Sequence, residues 1–254
     1  MKIATWNVNG IRAREQQLHE WIERERPDVI CLQEIKATPA QVPAALCDLP
    51  DYWCFWHGER AYSGVALQVR KEHAPERPVA FHPAFDVECR VIAAPVGGLE
   101  IASVYVPNGG KDYAAKLRFV EALIAYAGQA RAAGRRLILC GDINIARADI
   151  DVHPKERKVT AIGQLPEERA LFERLLKAGL VDVARALEPG NEELFTWWAP
   201  WRNLRQRNIG WRIDYLLAST ELAERARRCV SFREVGTSDH APVLAEFEID
   251  GAVI

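Results

Sequence analysis

Ten short apolar runs, each closed by a turn signal, constrain this chain more than any other feature. Residues 3–8, 29–33, 52–57, 64–69, 87–94, 99–106, 137–140, 213–217, 230–235 and 243–249 read as strands. That many strands exceed what one twisted sheet holds comfortably. Three helical patterns interleave with them. Residues 15–26 carry Leu18, Trp21, Ile22 and Glu25 at helical spacing, and Pro27 ends the segment. Residues 113–133 are Ala-rich, with Leu117, Val120, Leu123, Ile124 and Ala127 on one face. Pro166, Glu167 and Glu168 open a third helix whose stripe is Leu171, Leu175 and Leu176. Two packed sheets with helices outside would bury every apolar face. No Gly/Ser-rich or Pro-rich linker divides the chain, and its 254 residues fit one large domain, so 1–254 are expected to form a single unit.

Charge narrows the possible partners. Lys and Arg total 33 against 35 for Asp and Glu, a formal net charge of −2. There is no global basic field, so any grip on a polyanion must come from local clusters. The six cysteines show no C-x-x-C spacing, and Cys31 and Cys140 lie inside apolar runs, where buried thiols are expected. The first residues lack the apolar stretch of a signal peptide, and no apolar run approaches membrane length. With no long heptad pattern, the expectation is a cytoplasmic monomer that does not enter membranes.

Polar residues gather at strand ends. Asn7 and Asn9 follow the first strand two residues apart, Gln33 and Glu34 end the second, Asp142 and Asn144 end another, and Asp239 and His240 stand near the C-terminus. Each alone is most simply a turn cap. Together, acceptor-rich side chains on several neighbouring strand ends would converge on one mouth. Their mutual repulsion is relieved most cheaply by a hard cation. Oxygen donors without thiolate suit Mg²⁺ or Mn²⁺.

Residues 195–212 hold four Trp and four Arg and no acid. Such a stretch is a solvated loop beside core indoles, or a surface offering guanidinium to phosphate and indole to a base or sugar. Two smaller basic groups exist: His153, Lys155, Arg157 and Lys158, and Asn108 with Lys111 and Lys116. These fit a polyanion held along one face.

Six motifs in one order now carry a resemblance. They are Trp6-Asn7-Val8-Asn9-Gly10, Leu32-Gln33-Glu34-Ile35-Lys36, Val104-Tyr105-Val106-Pro107-Asn108-Gly109, Cys140-Gly141-Asp142-Ile143-Asn144, Asn208-Ile209-Gly210-Trp211-Arg212-Ile213-Asp214-Tyr215 and Ser238-Asp239-His240-Ala241-Pro242. Through them the chain resembles, nearly end to end, the exonuclease III family of abasic-site endonucleases. The resemblance implies a DNase I-like α/β fold of four layers, αββα, with two mixed sheets face to face, helices outside and the site at the sheets' common edge.

The resemblance also implies roles. Glu34 looks like the principal Mg²⁺ ligand, with Mn²⁺ able to substitute, and Asn7, Asn9 and Asp239 look like its neighbours around the metal or its water. Asp142 looks like the base for the attacking water, with Asn144 beside it, and both also count among the metal-holding residues. His240, oriented by Asp214, looks like the donor to the scissile phosphate, and Tyr105 looks close enough to contact the same phosphate or the leaving group. Asn108, Lys111, Arg205 and Arg207 are expected on the DNA backbone, with Trp197, Trp211 and Ile213 walling a pocket for a flipped, baseless sugar. The implied substrate is double-stranded DNA with abasic sites or blocked 3′ ends. The implied reaction is cleavage 5′ to the lesion, with 3′–5′ exonuclease and end-cleaning activity; the alternative is a 3′ exonuclease and 3′-phosphatase with weak cleavage at abasic sites. An inositol-lipid phosphatase or sphingomyelinase could use the same core, but the Trp/Arg stretch and the lack of any membrane-seeking segment argue against it. A DNA-binding regulator without catalysis would have no need of Glu34, Asp142, Asn144, Asp214, Asp239 and His240, all of which are present.

Overall fold

The computed structural model describes residues 1–59 and 61–249. Arg60 and residues 250–254, which the one-domain expectation spans, lie outside the described residues. Among the described residues, eleven strands form two mixed sheets. In chain order they are β1 (Lys2–Asn7), β2 (Val29–Gln33), β3 (Tyr52–His57), β4 (Val65–Arg70), β5 (Val91–Val96), β6 (Leu99–Tyr105), β7 (Leu137–Asp142), β8 (Leu180–Asp182), β9 (Asp214–Ser219), β10 (Ala226–Ser231) and β11 (Val243–Phe247). One sheet has the order β10-β11-β1-β2-β4-β3 and the other β5-β6-β7-β9-β8. Each contains one parallel pair, β1 with β2 and β6 with β7, and the rest are antiparallel. The helices are α1 (Glu15–Glu25), α2 (Ala44–Cys47), α3 (Tyr113–Ala132), α4 (Pro166–Lys177), α5 (Val183–Leu187) and α6 (Thr220–Ala223).

Strand alternation builds the layers. Ile3, Cys31 and Leu67 of the first sheet meet Ile101, Ile138 and Cys140 of the second in a core between the sheets. Their neighbours Ala4, Trp6 and Leu32 face outward onto Leu18, Trp21 and Ile22 of α1. Val104, Leu139 and Leu217 face outward onto Phe119, Leu123 and Phe172 of α3 and α4. The result is the four-layer αββα arrangement expected from the sequence. Near the site end a buried polar chain joins the sheets: Thr5 Oγ1 donates to Gln33 Oε1 (3.1 Å) and Gln33 Nε2 donates to Ser103 Oγ (3.0 Å). Gly141 permits the tight pairing of β6 with β7, because a Cβ there would lie 1.8 Å from Val104 O.

Several elements differ from the sequence reading. The 87–94 run starts pairing only at Val91, because Asp86 accepts from Glu88 N, Arg90 N and Val91 N and holds the preceding residues in a turn. The 230–235 run shifts to β10, since Phe232 leaves the sheet to pack edge-on against Trp21, 5.9 Å between centroids. β8, three residues long, is too short for alternation to reveal.

The cation assignments change most. Lys116, read as part of a basic surface, is fully buried and ion-paired to buried Glu168. Arg212, from the Trp/Arg stretch, is 2% exposed and sits between Asp151 Oδ1 (2.8 Å) and both oxygens of Asp182 (2.8 and 2.7 Å). Trp198 of the same stretch is a core residue. Arg212→Met strands two buried carboxylates, and should cost about 3–5 kcal/mol of stability. Urea unfolding checks this; a loss under about 1 kcal/mol would mean that Arg185 and Arg147 compensate the acids unaided.

Candidate active site

Register places the chemistry before any loop does. Tyr105 stands opposite Asp142 on β6–β7, and Asp142 opposite Asp214 on β7–β9, so three strand ends present one row. Across the gap Asn7 pairs with Gln33, and Glu34 follows. The same turn device closes two of these ends. Asn7 Oδ1 accepts from Asn9 N (3.0 Å), and Asp142 Oδ1 accepts from Asn144 N (2.9 Å). Asn9 and Asn144 both take positive φ, 44° and 54°, which asparagine tolerates. Glu34 and Lys36 also sit at positive φ, 55° and 51°, fixed by backbone bonds from Gly10 N to Glu34 O and from Lys36 N to Ser63 O.

Asn7 is fully buried, and its Nδ2 donates to Glu34 Oε2 (3.0 Å) and to Asp142 Oδ2 (2.9 Å). Its oxygen accepts in the turn, and its amide nitrogen clamps two carboxylates from two sheets. Asp239 accepts from Asn9 Nδ2 (2.8 Å) and from Trp197 Nε1 (3.0 Å). Burial pushes its carboxyl up, but charged His240 and these donors outweigh burial and hold it below the usual range.

Glu34 already attracts a cation. Lys36 Nζ lies 2.8 Å from Glu34 Oε1 and 2.7 Å from Asn9 Oδ1. Glu34, Asn9 and Asp239 thus offer oxygen without thiolate beside buried Asp142, a donor set that fits a hard divalent cation.

His240 Nδ1 lies 2.9 Å from Asp214 Oδ2, and its Nε2 lies 3.8 Å from Asp142 Oδ2. Burial alone would discharge the imidazole, yet Asp214 and Asp142 outweigh it and push its pKa up to about 10. Burial also pushes Asp142 up to about 7, against the pull of His240 and Asn7. Thr196 Oγ1 donates to Asp214 Oδ2 (2.6 Å) and accepts from Asp214 N (3.0 Å). Ser238 Oγ donates to Asn7 O (2.7 Å) and accepts from His240 N (3.2 Å). Sequence reasoning missed Thr196, Ser238 and Lys36. Lys36 and Ser238 stood inside quoted motifs, whereas nothing in the sequence marks Thr196 as a partner of Asp214.

These groups share a cleft of about 390 Å³ lined by Asn9, Glu34, Tyr105, Asn108, Asp142, Asn144, Trp197, Trp211, Ile213, Asp239 and His240, joined by Lys36, Gly110 and Ile162. Trp197 and Trp211 meet edge to face at 5.4 Å and form one wall. The Arg90 guanidinium lies 4.9 Å from the Tyr105 ring. Of the expected backbone-binding residues, Asn108 is at the rim of the cleft, Lys111 sits over the exposed Tyr62 ring (5.3 Å), and Arg207 is exposed. Arg205 is not free for phosphate, which corrects that expectation. Its guanidinium donates to the carbonyls of Arg233 (2.7 Å), Val235 (2.7 Å) and Ser238, and fastens the segment leading to Asp239.

Residues 4–240 match the endonuclease/exonuclease/phosphatase family model. The chain is 36% identical over 251 residues to an exodeoxyribonuclease of Bacillus subtilis (strain 168), covering 96% of this chain and 98% of that one. A 3′-5′ exonuclease from Neisseria meningitidis superposes with a TM-score of 0.90 at 34% identity, covering 98% of this chain and 100% of its own. An AP endonuclease from Archaeoglobus fulgidus does so at 0.88 and 30% identity, with the same coverage.

The charged neighbours of His240 set its protonation. In the metal-free protein its ring should titrate near 10. Asp214→Asn removes the nearest negative charge, so the midpoint should fall by about one unit or more. NMR of the ring nitrogens reads this directly; an unmoved midpoint would remove Asp214 as the cause.

Proposed function

Because the chain belongs to the endonuclease/exonuclease/phosphatase family, we propose that it is a Mg²⁺-dependent DNA repair nuclease. It hydrolyses the phosphodiester 5′ to abasic sites in duplex DNA and trims 3′ ends in base excision repair. The observation that carries this reading is one cleft in which a buried carboxylate, Asp142, faces a charged imidazole, His240, beneath a wall of Trp197 and Trp211.

The chemistry follows from the groups. Hydrolysis needs a water aligned with the bond to be broken, a base for its proton, and positive charge on the phosphate oxygens. Asp142, held by Asn7 and Asn144 and pushed up to about 7, takes the proton. His240, kept cationic by Asp214, donates to a non-bridging phosphate oxygen, and Tyr105 donates beside it to the same phosphate or to the leaving 3′ oxygen. That oxygen departs as its bond to phosphorus breaks and takes a proton from solvent to become the 3′-hydroxyl. Glu34, Asn9 and Asp239 would hold the metal, which supplies Lewis-acid stabilisation of the same phosphate. Asn7 and Thr196 orient the acids and do not touch substrate.

Selectivity rests on shape. Extruding a baseless nucleotide loses no pairing or stacking, and a cleft walled by Trp197, Trp211 and Ile213 admits a bare deoxyribose. No sequence readout is required, so contacts fall on backbone, with Asn108, Lys111 and Arg207 as candidates. A main task at 3′ ends is the second reading, favoured by the superposition on a 3′-5′ exonuclease. We read residues 1–254 as one domain acting as a monomer in the cytoplasm. Six free thiols support a reducing compartment. No helix among the described residues is long and apolar enough to cross a membrane.

An end-labelled duplex with one abasic analogue should be cut once, 5′ to the lesion, with Mg²⁺ and not with EDTA. A ladder from the 3′ end on damaged and intact duplex alike would favour end processing, and binding without any cut would leave only the regulator. Asp142→Asn should lower kcat by about 10²–10⁴-fold while DNA affinity persists. Arg207→Ala should flatten the salt dependence of DNA binding by about one counterion. Arg205→Ala should leave that slope unchanged, because its guanidinium is occupied by carbonyls.

A further inference from the structure

One buried cation in this chain touches the loops of the site without lining its cleft. Lys116, on α3, is fully buried. Its ammonium donates to Asn144 O (2.8 Å) and reaches Asn108 O (3.4 Å), and it is ion-paired with Glu168 of α4. The other oxygen of Glu168 accepts from Gly163 N (2.6 Å) and Leu165 N (3.0 Å). Gly163 lies under the cleft wall, where an added Cβ would come within 3.0 Å of the Trp211 ring and 3.2 Å of Asn144 O. A single charge pair therefore ties together the loop after β6, the loop after β7, and the segment beneath Trp211.

The consequence for chemistry runs through Asn144. Its side-chain Nδ2 donates to Asp142 Oδ2 (3.1 Å) and to Val106 O (2.9 Å), while its own peptide is held in the left-handed region. The ammonium grips the Asn144 carbonyl and adds to the bonds that the residue's own N–H and Nδ2 make on its other side. Burying an unsolvated cation is costly, and an apolar pair of similar volume would hold α3 and α4 together at less expense. What an apolar pair cannot do is bond two carbonyls that belong to functional loops.

We propose that Lys116, with Glu168, is a positioning residue for the reaction: it fixes the Asn144 peptide, and through it the aim of Asp142, together with the Asn108 loop that meets the DNA backbone. The proposal rests on the nuclease reading above.

Three variants test it: Lys116→Met, Glu168→Gln, and the double variant carrying both. Lys116→Met leaves Glu168 buried and unpaired and is expected to lose stability. The double variant removes both charges at nearly constant volume and should unfold near the wild-type urea midpoint. In that folded double variant, kcat on the abasic duplex should fall by about tenfold or more with KM little changed. The backbone amides of 108–110 and 143–146 should exchange hydrogen faster than in wild type. A double variant that folds and keeps wild-type kcat and exchange overturns the proposal. So does one that fails to fold, since the pair would then be structural alone. If wild type itself leaves the abasic duplex intact, the nuclease reading fails, and amide exchange in 108–110 and 143–146 still decides the positioning role by itself.

Discussion

Everything in the cleft depends on holding like charges together across a gap between two sheets. Glu34 belongs to one sheet's edge and Asp142 to the other's, and left alone they would repel. The Asn7 amide donates to both at once, 3.0 and 2.9 Å, from a position with no solvent access. A neutral donor suits this task. It fixes the distance without cancelling the negative potential that draws a cation. The polar chain from Thr5 through Gln33 to Ser103 supports the same spacing one layer deeper. The spacing of the sheets is therefore a catalytic dimension.

The fold was legible because strand periodicity is a strong signal and the turns were marked by Gly, Pro, Asn and Asp. Two sheets followed from counting strands. The site was legible where its residues sat in compact motifs at strand ends: Asn9, Glu34, Tyr105, Asp142, Asn144, Asp239 and His240 line one cleft. What was not legible is which way a polar side chain turns. Asn7 reads as an oxygen donor, yet its oxygen is engaged in a turn and its nitrogen faces the acids. Thr196 is one threonine among aromatics until the fold places Asp214 within 2.6 Å.

Arginine and lysine show the same limit more sharply. Composition treats Lys116, Arg205, Arg207 and Arg212 as equivalent cations near a basic surface. The structure divides them. Arg212 neutralises buried acids, Lys116 grips loop carbonyls, Arg205 fastens the segment leading to Asp239, and only Arg207 of the four is exposed. The planar fork of Arg205 lets one side chain serve three carbonyls, a task no exposed phosphate contact would demand. Charge counting along a sequence sees the sign of a residue and not its address.

The wall of the cleft and its reactive groups have different main supports but share several bonds: Thr196 donates to Asp214, Trp197 donates to Asp239, and the Lys116–Glu168 pair reaches both Asn144 and the segment beneath Trp211. Trp197 and Trp211 lie on a segment, 195–212, secured by Arg205 partway along and Arg212 at its end, whereas Asp142, Asp214 and Glu34 are secured by strand register. Such sharing couples the shape of the wall to the placement of the acids, so a change that shifted residues 195–212 would carry Asp214 and Asp239 with it. A loop grafted into this position would have to bring those bonds as well as its own shape.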